Sequence, residues 1–313
     1  MNVIEVRNFK KYYGKFRGVE NMDMTVRNGD FYGFVGPNGA GKSTTIRTLL
    51  GFIRPTGGSG QVFGLACEKH TPEILKRTGY MPSEAFFYGE MRVGEVIRLA
   101  ARLHRMDCEG EAKRLCARFE VDTKKRIEDL SLGNRKKVSI ICAMQHRPEL
   151  LVLDEPTSGL DPLMQKEFFD VLKEYHQAGT TILLSSHNLT EIQSHCNRLG
   201  VVKDGRMIAE DDIGEFSHNS AKRVRLTLSE GSGIHKTFVK TSGEVPGDFD
   251  INVLEGVADF KREGPSLSFF YRGDIPALME CLARVKLQDV LIEEPGLEEI
   301  ILHYYEKNER GKG

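Results

Sequence analysis

Two short segments bring together residue types able to bind and cleave a phosphoanhydride. The first is Gly36-Pro37-Asn38-Gly39-Ala40-Gly41-Lys42-Ser43-Thr44, of the form G-x-x-x-x-G-K-[ST]. Its glycines permit backbone conformations that a Cβ would forbid, so successive N–H groups can turn inward as a nest for phosphate oxygens. Lys42 places a cation beside the β- and γ-phosphates, and the Ser43 hydroxyl can bind Mg²⁺. The second segment, Leu150-Leu151-Val152-Leu153-Asp154-Glu155, is an apolar run ending in two carboxylates. Asp154 would orient the hydrated Mg²⁺ held by Ser43. Glu155 would polarise an attacking water as a general base. An Asp-Glu pair alone is more often a solvated strand end. Following a phosphate loop and an apolar strand, it reads as catalytic.

The surrounding elements suit that chemistry. Phe31 to Val35 predicts a buried strand before the loop, and Ser43 to Leu50 predicts a helix whose N-terminus favours anions. Strands are expected at 3–6, 21–26, 61–63, 150–153, 181–185, 199–203 and 206–209, with a turn over 53–60 and an Asp204-Gly205 hairpin turn. Helical spacing of Val96, Leu99, Ala100 and Leu103, then of Ala112, Leu115, Cys116 and Phe119, marks a helical insert. Helices are also expected at 165–176 and 189–196. Strands alternating with helices imply an α/β fold with a largely parallel sheet covered on both faces. Beyond Glu215 the pattern changes. Alternation at Val224, Leu226 and Leu228, a strand over 266–272, an amphipathic Ile275–Leu282 and a last helix face from Leu297 to Tyr305 suggest a small α+β domain. The expected layout is an ATP-binding domain over 1–215 with its insert at about 85–147, an accessory domain over 222–306, joined through Phe216 to Ala221, and a frayed tail over 307–313.

Composition narrows the function classes. The chain has 313 residues, 40% of them hydrophobic, and a formal net charge of -1. Near-neutrality argues against a broad nucleic-acid surface. The basic group Lys124, Lys125, Arg126, Arg135, Lys136 and Lys137 reads as a solvated helix face with counter-charges at Glu128 and Asp129. No apolar run approaches the ~20 residues needed to span a bilayer, and the N-terminus lacks a signal-peptide core. Six scattered cysteines without a C-x-x-C pair suggest reduced thiols. The histidines show no metal-site spacing.

Further motifs, in order, give the chain a specific resemblance over residues 2 to 215. Leu130-Ser131-Leu132-Gly133-Asn134, Ser158-Gly159-Leu160-Asp161, Ser185-Ser186-His187 and Tyr12-Tyr13-Gly14 accompany the two segments above. Together they resemble an ATP-binding cassette (ABC) ATPase, the motor subunit of ABC transporters. The resemblance implies a P-loop NTPase core with an N-terminal antiparallel β region and a helical insert. It implies that Tyr13 stacks on adenine and that His187 bonds the γ-phosphate. It also implies that Ser131 and Gly133 of one subunit close over the ATP of a second. Ser131 suits that role as the cap of a helix beginning near Asn134.

Two of the motifs depart from the family pattern. Leu132 and Asn134 replace the usual Gly and Gln of the signature. Ser83 stands where the family has a Mg²⁺-contacting Gln after Gly79-Tyr80-Met81-Pro82, and either Ser83 or Glu84 could serve through oxygen. The implied partners are a separate transmembrane permease and a second ABC ATPase subunit, expected to be an identical chain. The implied location is the cytoplasmic face of the cell membrane. Glu294-Pro295-Gly296-Leu297-Glu298-Glu299-Ile300 resembles the extensions of bacterial exporter-type ATPases, pointing to export. The competing readings are a soluble ABC ATPase acting on ribosomes or nucleic acid, and a regulatory nucleotide-binding module with little turnover.

Overall fold

The structure, a computed structural model, describes residues 1–218, 222–229, 233–235, 248–250, 255–283 and 285–302. Met1–Ile213 belongs to one compact unit, and a second begins at Gly214. The first unit opens with β1 (Asn2–Tyr13), β2 (Phe16–Arg27) and β3 (Phe31–Val35), followed by α1 (Lys42–Leu49). Next come β4 (Gly57–Val62), β5 (Leu65–Ala66), α2 (Thr71–Lys76) and β6 (Thr78–Met81). The helical insert is α3 (Val93–His104), α4 (Glu109–Arg118) and α5 (Leu132–Met144). The chain then returns through β7 (Leu150–Asp154), α6 (Pro162–Gln177), β8 (Thr181–Ser186), α7 (Leu189–His195), β9 (Arg198–Lys203) and β10 (Arg206–Asp212).

One sheet has the order β10-β9-β3-β8-β7-β6. Its five strands from β9 to β6 run parallel, and β10 is an antiparallel edge strand. Every residue of β3 and β7 is buried, in keeping with the apolar sequence of β3 and of Leu150 to Leu153 in β7. The β9–β10 hairpin turns at Asp204 (φ 53) and Gly205 (φ 72), the two positive angles that a two-residue hairpin of matching twist requires. A second, antiparallel sheet has the order β2-β1-β4-β5. The helix after the phosphate loop shares one apolar core with both sheets. Ile46 and Leu49 pack in the cluster holding Phe9, Val26, Val62, Phe34, Val152 and Leu183. The loop at the start of α1 is thus anchored by a helix that is buried over most of its surface, with Arg47 exposed.

Three expectations change here. The turn expected over 53–60 ends earlier, because β4 begins at Gly57 and pairs with Lys10 of β1. Gly57 to Gly60 supplies a glycine-rich strand, and a Cβ at Gly60 would lie 3.1 Å from both Phe9 and Leu49. The apolar stripe of α3 also divides. Val93, Val96 and Ile97 are buried, whereas Leu99 and Leu103 face outward at 40% and 77% exposure. The joining segment expected from Phe216 is occupied by helix α8 (Ile213–His218), with Phe216 buried.

In the second unit, β11 (Lys222–Leu228), β12 (Gly233–His235), β13 (Asp248–Asp250), β14 (Val257–Glu263) and β15 (Ser266–Tyr271) precede α9 (Ile275–Leu282) and β16 (Leu287–Glu293). An antiparallel sheet has the order β14-β15-β11-β16, and β12 pairs with β13 in parallel. Val224, Leu226 and Leu228 alternate inward to meet Phe269, Tyr271, Leu278 and Leu282. A further helix starts at 297, burying Leu297, Ile300 and Ile301. Tyr304, Tyr305, the linker residues 219–221 and the tail 307–313 lie outside the described residues.

Candidate nucleotide site

The phosphate loop is shaped by close backbone approaches. Gly41 caps α1 in the left-handed region (φ 101), and a Cβ there would stand 2.5 Å from the Gly18 carbonyl oxygen. At Gly36 φ is ordinary, but a Cβ would meet the Val202 carbonyl oxygen at 2.3 Å. Larger residues at either position would displace β2 or β9. Lys42 is 6% exposed, and its ammonium donates to the Gly36 carbonyl at 2.6 Å. The same ammonium lies 3.4 Å from Oε1 of Glu155.

Asp154 and Glu155 sit at the C-terminal end of β7, the edge where open parallel sheets gather ligands. Asp154 is fully buried, and neither carboxylate oxygen has a hydrogen bond of good geometry. Burial raises its pKa, and the nearby Ser43 and Ser185 hydroxyls pull it partly back. Glu155 adopts the left-handed region (φ 50), which a non-glycine residue rarely holds without outside support. Its Oε2 is 2.7 Å from Nδ1 of His187, at the end of β8. Glu155 therefore stands between the ammonium of Lys42 and the imidazole of His187, and the three chemical groups converge as one set.

His187 is held by its neighbours. Ser186 Oγ donates to Glu191 at 3.1 Å and accepts from the Asn188 N–H at 3.0 Å. The Asn188 side chain caps α7. Tyr13 ends β1 and is half exposed. A Cβ at Gly18 would lie 3.0 Å from both the Tyr13 ring and the Thr44 methyl, which puts that ring beside the start of α1.

Ser131 caps α5, accepting from the Asn134 N–H at 3.3 Å; the helix starts at Leu132, two residues before the expected Asn134. Among the described residues, no hydrogen bond or ion pair joins Ser131 to Lys42 or Ser43. Gly133 instead approaches the loop after β7, where its Cβ would lie 2.8 Å from the Gly159 carbonyl oxygen. Ser83 is half-buried and Glu84 exposed, and no described contact joins either to Ser43 or Asp154.

One residue departs from its expected setting. Lys136, read as part of a solvated basic face, is 5% exposed. Its ammonium donates to the carbonyls of Glu155 and Ser158, each at 2.7 Å. Lys136 is the fifth residue after Ser131, more than a full turn along α5, and only the tertiary fold reveals what that side of the helix meets. The remaining basic group matches its expected solvated character better. Arg126 pairs with Glu128 at 3.3 Å at the surface.

Known proteins match this arrangement. The profile of a family described as ABC transporter matches residues 19–158. The bacitracin transport ATP-binding protein BcrA of Bacillus licheniformis is 34% identical over 73% of this chain and 76% of its own length. The linearmycin resistance ATP-binding protein LnrL of Bacillus subtilis (strain 168) is 29% identical over 96% of this chain and 97% of its own. A solved ATP-binding subunit of an ABC transporter superposes with a TM-score of 0.65 at 28% identity, covering 69% of this chain and 92% of that one. With the fold, the motif order and these relatives in agreement, the chain belongs to the ABC transporter family as one of its ATP-binding, ATP-hydrolysing subunits.

Proposed function

We propose that this subunit powers export through a separate membrane permease, with Glu155 as the general base for ATP hydrolysis. The observation that carries the chemical half is the position of Glu155 between Lys42 and His187. Lys42 and the loop N–H groups hold the β- and γ-phosphates. Glu155 takes a proton from the water that attacks the γ-phosphorus, ADP leaves, and His187 steadies the γ-phosphate. Tyr13 stacks on the adenine. Asp154, a buried carboxylate without hydrogen bonds of good geometry, and the Ser43 hydroxyl offer the hard oxygen donors that Mg²⁺ prefers. Bound there, Mg²⁺ would neutralise charge on the phosphate oxygens.

Ser131 and Gly133 complete the site of a second, identical chain, so that ATP joins two cassettes. Export draws support from relatives whose names include bacitracin transport, linearmycin resistance and Nod factor export. A membrane partner is supported by apolar side chains left exposed on and beside α3. Phe86, Tyr88, Leu99, Leu103 and Met106 are all at least 40% exposed. No described helix is long and apolar enough to cross a membrane, so the pathway for the substrate would lie in another chain. The accessory domain, expected over 222–306, is proposed as a separate module of this subunit, in keeping with the second compact unit that begins at Gly214.

Purification of the native complex from membranes tests the partner. Co-purification of a polytopic membrane protein, with ATPase stimulated in the reconstituted complex, is the expected result. Recovery of the cassette alone under mild detergent, with ATPase stimulated by RNA or DNA, would contradict it.

A further inference from the structure

A buried ammonium is expensive unless its donors are satisfied. Lys136 meets that requirement in an unusual way. Two of its three N–H donors go to main-chain carbonyls, of Glu155 and of Ser158. Burial pushes its pKa down, and the nearby Glu155 and Asp154 charges push back up. The carbonyl it grips belongs to the residue at φ 50 whose carboxylate faces Lys42 and His187. The N–H of that same residue donates to the Ser185 carbonyl of β8 at 3.0 Å. The Glu155 main chain is therefore clamped from both sides, by β8 through its N–H and by α5 through its C=O.

The clamp reaches the signature segment. Lys136 and Ser131 lie on one helix, and Gly133 between them abuts Gly159 in the loop that Lys136 also holds. A shift of α5 would carry the Ser158 and Glu155 carbonyls with it.

We propose that Lys136 is a positioning residue: its ammonium fixes the left-handed backbone of Glu155, aims that carboxylate between Lys42 and His187, and couples the carboxylate to the movement of α5. This rests on the reading of Glu155 as the general base. The described hydrogen bonds of Lys136 go to main-chain carbonyls and not to the phosphate loop, so its loss is expected to act on turnover and leave nucleotide binding in place.

The test compares the full-length Lys136→Met, Lys136→Arg and Glu155→Gln proteins and the Lys136→Met/Glu155→Gln double variant. Each is assayed for kcat, KM for ATP with Mg²⁺, and ATP dissociation constant, with urea unfolding to establish the folded state. Lys136→Met is expected to lower kcat by about tenfold or more while KM and the dissociation constant stay within about twofold. Lys136→Arg, which restores a cation with several donors, is expected to recover kcat to within about threefold. In the Glu155→Gln background the same Met substitution is expected to add no further loss, because it acts through that carboxylate. If Lys136→Met does not fold, Lys136→Gln, which keeps an N–H donor group, is expected to show a smaller loss in kcat alone. An unaltered kcat in Lys136→Met beside an inactive Glu155→Gln protein overturns the inference and leaves the base assignment standing. A fully active Glu155→Gln protein overturns the base assignment itself. Equal losses of kcat and ATP affinity in folded Lys136→Met would show a general structural role and likewise overturn the inference.

Discussion

Two carboxylates with little exposure to solvent are treated in opposite ways. Glu111, on α4, is matched by Arg114 and Arg147, each at 2.7 Å, and by the Tyr175 hydroxyl, also at 2.7 Å. Burial alone would raise its pKa, yet the Arg114, Arg147 and Tyr175 hydrogen bonds bring it down to about 2. Asp154, at the end of β7, is more deeply buried but has no hydrogen bond of good geometry, and its pKa is raised. The next residue, Glu155, holds a backbone angle that costs energy. The first arrangement ties the helical insert to α6. The second leaves acceptor capacity unused where the nucleotide motifs meet. The difference teaches where the chain invests in its own stability and where it reserves polar groups for a ligand.

Substitutions at each place should separate these roles. The largest effect is expected for Glu155→Gln, which removes the proton acceptor while keeping the side chain's shape. Phosphate release should fall by roughly 10³-fold with ATP affinity retained. Wild-type turnover would place the base elsewhere. Glu111→Gln should do the reverse, costing about 2 kcal/mol in urea unfolding at pH 7 with kcat per folded molecule unaltered. The pH dependence has a definite sign. The native pKa of Glu111 lies below the ordinary glutamate value of about 4.5. Its contribution is complete above about pH 4.5 and fades as pH falls towards about 2, so the gap between wild type and variant should close over that window. A constant gap would mean that lost packing, not charge, is responsible. The smallest effect is expected for Lys113→Ala, which breaks an exposed pair with Glu109 on α4. No resolvable change in the urea midpoint is expected; a loss as large as that of Glu111→Gln would erase the distinction between shielded, well-matched pairs and surface pairs.

The site was more legible in the sequence than were its supports. The phosphate loop and the Asp154-Glu155 pair are local patterns, because a nest of N–H groups and an apolar strand ending in carboxylates each need only contiguous residues. His187 and Ser131 became legible through the order of motifs, and the fold then brought His187 to Glu155. Lys136 was not legible. A lysine within a basic run is solvated in most settings, and only the packing of α5 against the loop after β7 buries it. The same holds for α3, where helical spacing fits Leu99 and Leu103 as well as Val96, and tertiary contacts alone decide which side turns inward. The early start of β4 was hidden because a glycine-rich strand reads as a turn until Lys10 pairs with Gly57. Strands β6 and β14 and helix α2 also went unread, being short or weakly patterned.

On this reading, the carboxylate at the end of β7 is held for a ligand at the expense of the fold. Urea unfolding of wild type and Asp154→Asn at pH 7, with and without ATP and Mg²⁺, tests it most directly. Because burial raises the pKa of Asp154 above the ordinary aspartate range, its charge begins to destabilise the native state as pH rises through that range and does so fully above the raised pKa. Without nucleotide, the variant should therefore be more stable than wild type, by on the order of 1 kcal/mol. With ATP and Mg²⁺ the order should reverse, as wild type gains binding free energy that the variant cannot. A variant less stable than wild type without nucleotide, or one stabilised equally by ATP and Mg²⁺, would contradict the account.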